Sequence, residues 1–264
     1  MRIQTIPSPS TNAEDTAILM RMCDTFDILY DMSEAVAEGK IKGMVVFGPP
    51  GVGKSHNVKE ALLNEAAINH EFGSRYKIVS GHMTTVNLYM LLYKYRYANN
   101  VIVLDDVDSA LGTAESLNLL KAALDTTDTR TISYMAESRT LEKNNIPKSF
   151  VFSGGIIVIT NIDMANYTGK NREHMAAIIS RCHYLDLSIK TKHEKMLWLK
   201  HVTIQGGMLK KRLTDEQAAE VIAFVDKHQN NMRELSLRMM SKVADLRVTN
   251  PNDWQKVAKI TCMT

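Results

Sequence analysis

The sequence predicts an α/β protein: a three-layer α/β/α core on a five-stranded parallel sheet, followed by a small all-helical lid domain. Three observations lead there. Strand-sized apolar runs alternate with stretches of helical periodicity through about residue 188. A glycine-rich turn joins the first of those runs to a helix. Beyond residue 188 the strand-like runs stop and only helical periodicity continues. Strands that alternate with helices need crossover connections, which make the sheet parallel and cover both its faces.

The elements follow in order. Residues 1–15 are rich in Pro, Ser, Thr and Asn and read as a flexible lead-in. Ile18, Met22, Phe26, Leu29 and Met32 recur at helical spacing, which predicts a helix over 15–38 that stops near Gly39. Strands are expected at 44–47, 76–79, 101–104, 156–160 and 184–187, with helices between them at 54–71, 86–97 and 114–125. Two further segments, 130–135 and 149–152, have strand character and a polar connection that carries Arg139, Lys143, Pro147 and Lys148. Four helices are expected at 192–202, 215–228, 232–247 and 252–261. Thr214 with Gln217 three residues later is a capping-box pattern at the start of the second of these. The division expected is a core over 16–189 and a helical lid over 190–264.

Composition narrows the class. Apolar residues make up 45% of the chain, enough for an ordinary buried core, and the net charge of +3 is too small to indicate nucleic acid by itself. The longest apolar runs, such as 156–159, are far short of a membrane span, so no membrane partner is expected. The N-terminal residues lack an apolar signal-peptide region. Cys23, Cys182 and Cys262 are odd in number and show no metal or redox spacing, which fits a reducing, cytoplasmic location.

The chemistry is concentrated at three strand ends. Gly48, Pro49, Pro50, Gly51, Val52, Gly53, Lys54 and Ser55 match the pattern G-x-x-x-x-G-K-[ST], with His56 next in line, between an apolar strand and a helix. Glycines let backbone N–H groups turn onto phosphate oxygens, and a helix N-terminus favours negative charge. Lys54 can reach the β- and γ-phosphates, and the Ser55 hydroxyl can ligate Mg2+. The second strand end, after 101–104, carries Asp105 and Asp106. Asp105 is placed to hold the metal and Asp106 to polarise an attacking water. Alone, this pair reads equally as a polar turn; beside a phosphate loop the catalytic reading is stronger. The third is Asn161, after 156–160, where an amide could orient the water or sense the γ-phosphate; alone, it reads equally as an asparagine that ends a strand.

This ordered set resembles the AAA+ ATPases over roughly residues 18–250. The resemblance implies ATP and Mg2+ as ligands and ATP hydrolysis as the activity. It matches Asn161 to the sensor 1 position. Ser180-Arg181-Cys182 resembles the Ser-Arg-Cys motif of clamp-loader subunits, which implies that Arg181 is a finger entering a neighbour's ATP site. Arg172 is a second candidate. The segment Asn230–Leu235, read as opening the third lid helix, resembles sensor 2, which implies that Arg233, or Arg238 on a similar face, reaches the γ-phosphate. Many AAA+ enzymes carry Asp-Glu where this chain has Asp105-Asp106, a pair that initiator-type relatives share.

A trans finger implies a homo-oligomer, most simply a hexameric ring. The 130–152 segment looks like the hairpin that several AAA+ groups insert before sensor 1, and its basic residues would suit DNA. A plain solvated hairpin is an equal alternative. Tyr89, Tyr93, Tyr95 and Tyr97 alternate with Lys94 and Arg96 and could stack nucleotides, although core packing accounts more cheaply for Tyr89 and Tyr93. Two functions from different classes follow: a motor or loader acting in replication or recombination on DNA, and a remodeller of a protein partner without DNA.

Overall fold

The computed structural model describes residues 12–68, 75–187 and 189–264. Most of the expected lead-in, the expected helix end at residue 71 and the boundary residue Ser188 lie outside the described residues.

Helix α1 (Ala13–Ala37) leads to β1 (Gly43–Phe47), α2 (Lys54–Ile68) and β2 (Tyr76–Ser80). Then come α3 (Thr85–Lys94), β3 (Val101–Asp105), the short α4 (Asp108–Gly112) and α5 (Ala114–Ala123). Strand β4 (Arg130–Ser133), α6 (Arg139–Lys143) and β5 (Ser149–Phe152) precede β6 (Gly155–Thr160), α7 (Arg172–Ile179) and β7 (His183–Asp186). Four helices follow, α8 (Lys192–Ile204), α9 (Asp215–Lys227), α10 (Leu237–Thr249) and α11 (Trp254–Cys262).

Five strands form a parallel sheet in the order β2-β3-β6-β1-β7, with helices flanking it. The central strands β1, β3 and β6 are apolar up to Asp105 and Thr160, which end β3 and β6, because both faces are covered, and all of β6 is buried. Phe47 pairs with Thr160, and Asp105 with Ile159. Gly48, Asp106 and Asn161 therefore leave three neighbouring strands at one edge. Strand β1 lies between β6 and β7, so the chain order reverses there, and ligands bind at the carboxyl ends of strands at such a switch point.

The β4–β5 pair is the expected hairpin, antiparallel from Arg130↔Phe152 to Ser133↔Ser149. Its inner residues Ile132, Phe150 and Phe152 join a core with Leu88, Tyr89, Leu92 and Leu120. Tyr89 is fully buried, and burial pushes its hydroxyl up to about 12. Tyr97, by contrast, is exposed. Arg130 is buried, and its guanidinium donates to Ala123 O at 2.6 Å and Gly154 O at 2.8 Å, which fixes the hairpin base to the end of α5.

The chain forms two compact units. Of the described residues, the sheet unit holds 28–48, 54–68 and 75–186; the helical unit holds 12–27, 49–53, 187 and 189–264. Within the helical unit, α8 starts with a capping box, Thr191 with Glu194, and α9 with the expected box, Thr214 with Gln217. Glu194 also accepts from Lys190 N at 2.7 Å and from Arg21 at 2.6 Å. Its core gathers Leu199, Val221, Val225, Met240, Val243 and Trp254. The first half of α1 belongs to this unit, where Phe26 stacks on Trp198 at 4.3 Å and Cys23 Sγ lies 3.4 Å from His201 Nε2.

Burial lowers the pKa of His201 from its ordinary 6.5. The unfolded chain therefore binds this proton more readily than the folded one. The stability this residue contributes is present above about pH 6.5 and is lost as pH falls from there through the lowered folded value. Melting followed by tryptophan fluorescence should show a decline as pH falls below about 6.5 that is shallower in His201→Gln. Identical slopes in the two proteins would refute this assignment.

Candidate active site

The turn after β1 takes its shape from its glycines. Gly51 has φ +69° and Gly53 φ +105°, a region that side-chain-bearing residues adopt rarely. A Cβ on Gly51 would also lie 2.5 Å from Ser236 Cβ, so nothing larger than glycine fits that position. Helix α2 then opens at Lys54.

In the sheet unit, six of the residues named from sequence come together. Lys54 is buried, and its Nζ donates to Gly48 O at 2.8 Å and to Asn161 Oδ1 at 2.7 Å. Asn161 Nδ2 donates in turn to Asp106 Oδ1 at 3.0 Å. Ser55 Oγ donates to Asp105 Oδ1 at 2.7 Å. The groups thus form two linked sets, an amine–amide–carboxylate chain and a hydroxyl–carboxylate pair.

Asp106 is held by its backbone as well. Its N–H donates to Ile159 O at 3.0 Å, and its φ is +53°. Aspartate enters the left-handed region several times more readily than most side chains. This gives a local reason for a short acid at this position, where many AAA+ enzymes carry Glu. Behind Asn161, the Asp163 carboxylate accepts from Asn166 Nδ2 at 2.9 Å, Ala165 N at 3.1 Å and Tyr184 Oη at 3.3 Å. These bonds, that of the Asn166 amide foremost, hold the Asp163 carboxyl below the usual carboxylate range and fix the turn after β6.

The remaining candidates lie elsewhere. Arg181, in the turn between α7 and β7, donates to Ala177 O at 2.7 Å, and its Nε is 3.6 Å from Asp125 Oδ1. Its side chain is 35% exposed, so the pair is held only loosely. His56 is exposed and lies 3.9 Å from Glu60, one turn along α2. Arg172 is the first residue of α7.

The reading of residues 230–235 as a helix start needs correction. Helix α10 begins at Leu237, capped by Ser236, whose Oγ accepts from Met239 N at 3.0 Å. Arg233 lies before the helix because Met232 bridges to Met263. Its N–H donates to Cys262 O and its Nε to Met263 O, both at 3.0 Å. Arg238 is exposed in the first turn of α10 and shares no helix with Arg233. Ser followed by Leu237, Met240 and Ala244 at helical spacing was the sequence signal for the true start.

Sequence reasoning also missed what holds the loop tip. Within the helical unit, Leu237 N donates to Gly51 O at 2.7 Å, and Trp198 Nε1 donates to Val52 O at 2.8 Å. No local motif signals either bond, because the partners are about 150–190 residues apart in the chain.

No helix among the described residues is long and apolar enough to cross a membrane. No protein-family model matches the chain. An uncharacterised 36.7 kDa protein from the nrdC–mobD intergenic region of Enterobacteria phage T4 is 32% identical over 242 residues, which cover 90% of this chain and 73% of that protein. Domain III of the Thermotoga maritima replication initiation protein DnaA aligns with a TM-score of 0.51 at 13% identity, over 89% of this chain and 90% of that one. Replication initiator DnaA bound to AMPPCP and single-stranded DNA aligns with a TM-score of 0.52 at 12% identity. That match covers 90% of this chain but 63% of the initiator, so the chain spans less than two thirds of it. At such identities the likeness to DnaA speaks for the fold alone. Its strand order, its glycine loop and these alignments lead to one statement: the chain belongs to the family of the phage T4 protein, and its fold is that of the AAA+ ATPases.

Proposed function

We propose that this protein is a cytoplasmic ATPase that binds ATP with Mg2+ and hydrolyses it at the interfaces of a homo-oligomer, most simply a hexameric ring. The work would load or remodel a complex acting on DNA in replication or recombination. The observation that carries this reading is the linked set of Lys54, Asn161 and Asp106 beside the Ser55–Asp105 pair.

The residues fit the ligands. Ser55 and Asp105 offer two oxygen donors 2.7 Å apart, the donor type that a hard divalent cation takes together with phosphate oxygens. Mg2+ held there would draw charge from the phosphoryl oxygens. Lys54 exchanges Gly48 O and Asn161 Oδ1 for phosphate oxygens and neutralises part of their charge. Asn161 orients a water, and Asp106 accepts its proton as the water oxygen attacks the γ-phosphorus and the bond to the ADP oxygen breaks. Arg181 of a neighbouring subunit, freed from Asp125, supplies positive charge as that bond breaks. Arg233 is the further candidate to add positive charge at the γ-phosphate.

The DNA part of the reading rests on the β4–β5 hairpin, where Arg139, Lys143 and Lys148 are exposed and Met135 is 69% exposed near the end of β4. Such a surface suits a phosphate backbone with an apolar contact beside it. The structural likeness to an initiator that binds single-stranded DNA favours the same choice.

The test is the steady-state ATPase rate per subunit against protein concentration, with and without single- and double-stranded DNA. A rate that climbs with concentration and climbs again with DNA is expected. Concentration dependence without a DNA response would replace DNA by a protein client, and absence of hydrolysis would remove the enzyme.

A further inference from the structure

The tip of the glycine loop is held from outside by two N–H donors. Leu237 N donates to Gly51 O at 2.7 Å and Trp198 Nε1 donates to Val52 O at 2.8 Å, so two successive carbonyls are fixed within the helical unit. A trans peptide is planar, with its carbonyl and its N–H pointing in opposite directions. Fixing Gly51 O therefore aims the Val52 N–H the other way, and fixing Val52 O does the same for the Gly53 N–H. Those are N–H groups that a glycine loop offers to phosphate oxygens.

The donors are themselves rigid. Trp198 is 2% exposed, stacked on Phe26 at 4.3 Å with planes 19° apart, and flanked by the His201 ring at 5.9 Å. Leu237 is the first residue of α10, behind the Ser236 cap. Val52 itself is fully buried, so its carbonyl relies on a protein donor rather than solvent.

We propose that Trp198, together with the Leu237 amide, is a positioning group for nucleotide: it sets the phosphate-binding N–H groups of Val52 and Gly53 before ATP arrives. The proposal rests on the reading of residues 48–55 as a phosphate loop. A loop already held in its binding form spends no affinity on ordering itself. Each donor spends its N–H on a loop carbonyl, so the role is one of positioning. Trp198 and the Leu237 amide therefore act on nucleotide through the backbone carbonyls of Gly51 and Val52.

Two substitutions remove one donor each with little else. Trp198→Phe keeps an aromatic ring against Phe26 and deletes the indole N–H. Leu237→Pro deletes the amide N–H where proline is well tolerated, at the first helical position after a residue of extended backbone, Ser236 at φ −157° and ψ 159°. Leu237→Ala controls for the lost side chain. ATP affinity and steady-state kinetics would be measured beside thermal melting. The expected result is that Trp198→Phe binds ATP about tenfold more weakly than wild type, as does Leu237→Pro relative to Leu237→Ala. KM should rise in each while kcat stays within about twofold, the pattern of lost ground-state binding.

Affinity within about twofold of the matched control in both variants would overturn the proposal, as would a fall in kcat at unchanged KM. If Trp198→Phe fails to fold, the Leu237→Pro and Leu237→Ala pair decides alone. Wild-type protein that fails to bind ATP, or binds it equally well as Lys54→Ala, would overturn the phosphate-loop reading and this proposal with it. ATP binding that needs Lys54 but ignores both donors overturns this proposal only.

Discussion

Asp106→Asn is expected to bind ATP with near-normal affinity and to turn it over about 10²–10⁴-fold more slowly, the usual contribution of a general base. The substitution is well suited to the site. Asparagine enters the left-handed backbone region as readily as aspartate, so the φ of +53° is kept. Its side-chain oxygen can still accept from Asn161 Nδ2, which is 3.0 Å from Asp106 Oδ1. The backbone bond from Asp106 N to Ile159 O is untouched. What goes is the negative charge and, with it, the capacity to take a proton. Parallel measurement of ATP binding and single-turnover hydrolysis separates the two effects. Hydrolysis at the wild-type rate would mean that another group accepts the proton.

Lys54→Ala is expected to weaken ATP binding by about 100-fold or more, because the amine makes charge-assisted bonds to phosphate worth roughly 1.5–3 kcal/mol each. The side chain is 5% exposed and bridges Gly48 O and Asn161 Oδ1. Its loss also removes positive charge from the phosphoryl oxygens during transfer, so residual hydrolysis should fall further than binding alone requires. The matching measurement is ATP affinity by calorimetry, with melting alongside to confirm that the sheet unit is intact. Unchanged affinity in a folded Lys54→Ala protein would remove the phosphate-binding role from this loop.

Much of this site was legible because its parts sit at ends of strongly apolar strands. The runs 101–104 and 156–160 announce buried parallel strands, and a polar residue straight after such a run must leave at the sheet edge. Asp105, Asp106 and Asn161 were identified in that way, and Lys54 and Ser55 from the glycine-loop pattern that follows the first apolar strand. What was not legible depends on residues far apart in the chain. The pairing of Asp125 with Arg181, the bond from Trp198 to Val52 O and the bridge from Met232 to Met263 are tertiary choices with no local pattern. That last bridge is why Arg233 lies outside a helix that periodicity alone extended back to residue 232. The short helices α4 and α6 have five residues each, too few for a periodic signal, and α7 is little longer at eight. The Thr191–Glu194 capping box, by contrast, was present in the sequence and overlooked.

Helix α1 carries a consequence for the order of events during synthesis. Its first half, with Met22, Cys23 and Phe26 buried, belongs to a unit whose other residues begin at 187, apart from the loop 49–53. On the ribosome that apolar face emerges early and waits while more than 150 residues are added before α8 can meet it. At about 5–20 residues per second the wait lasts roughly ten to thirty seconds. The sheet unit is translated within that interval, through β7 at His183–Asp186. The sheet can thus form while the glycine loop still lacks its outer donors, and the loop takes its final shape only once the C-terminal helices have been made.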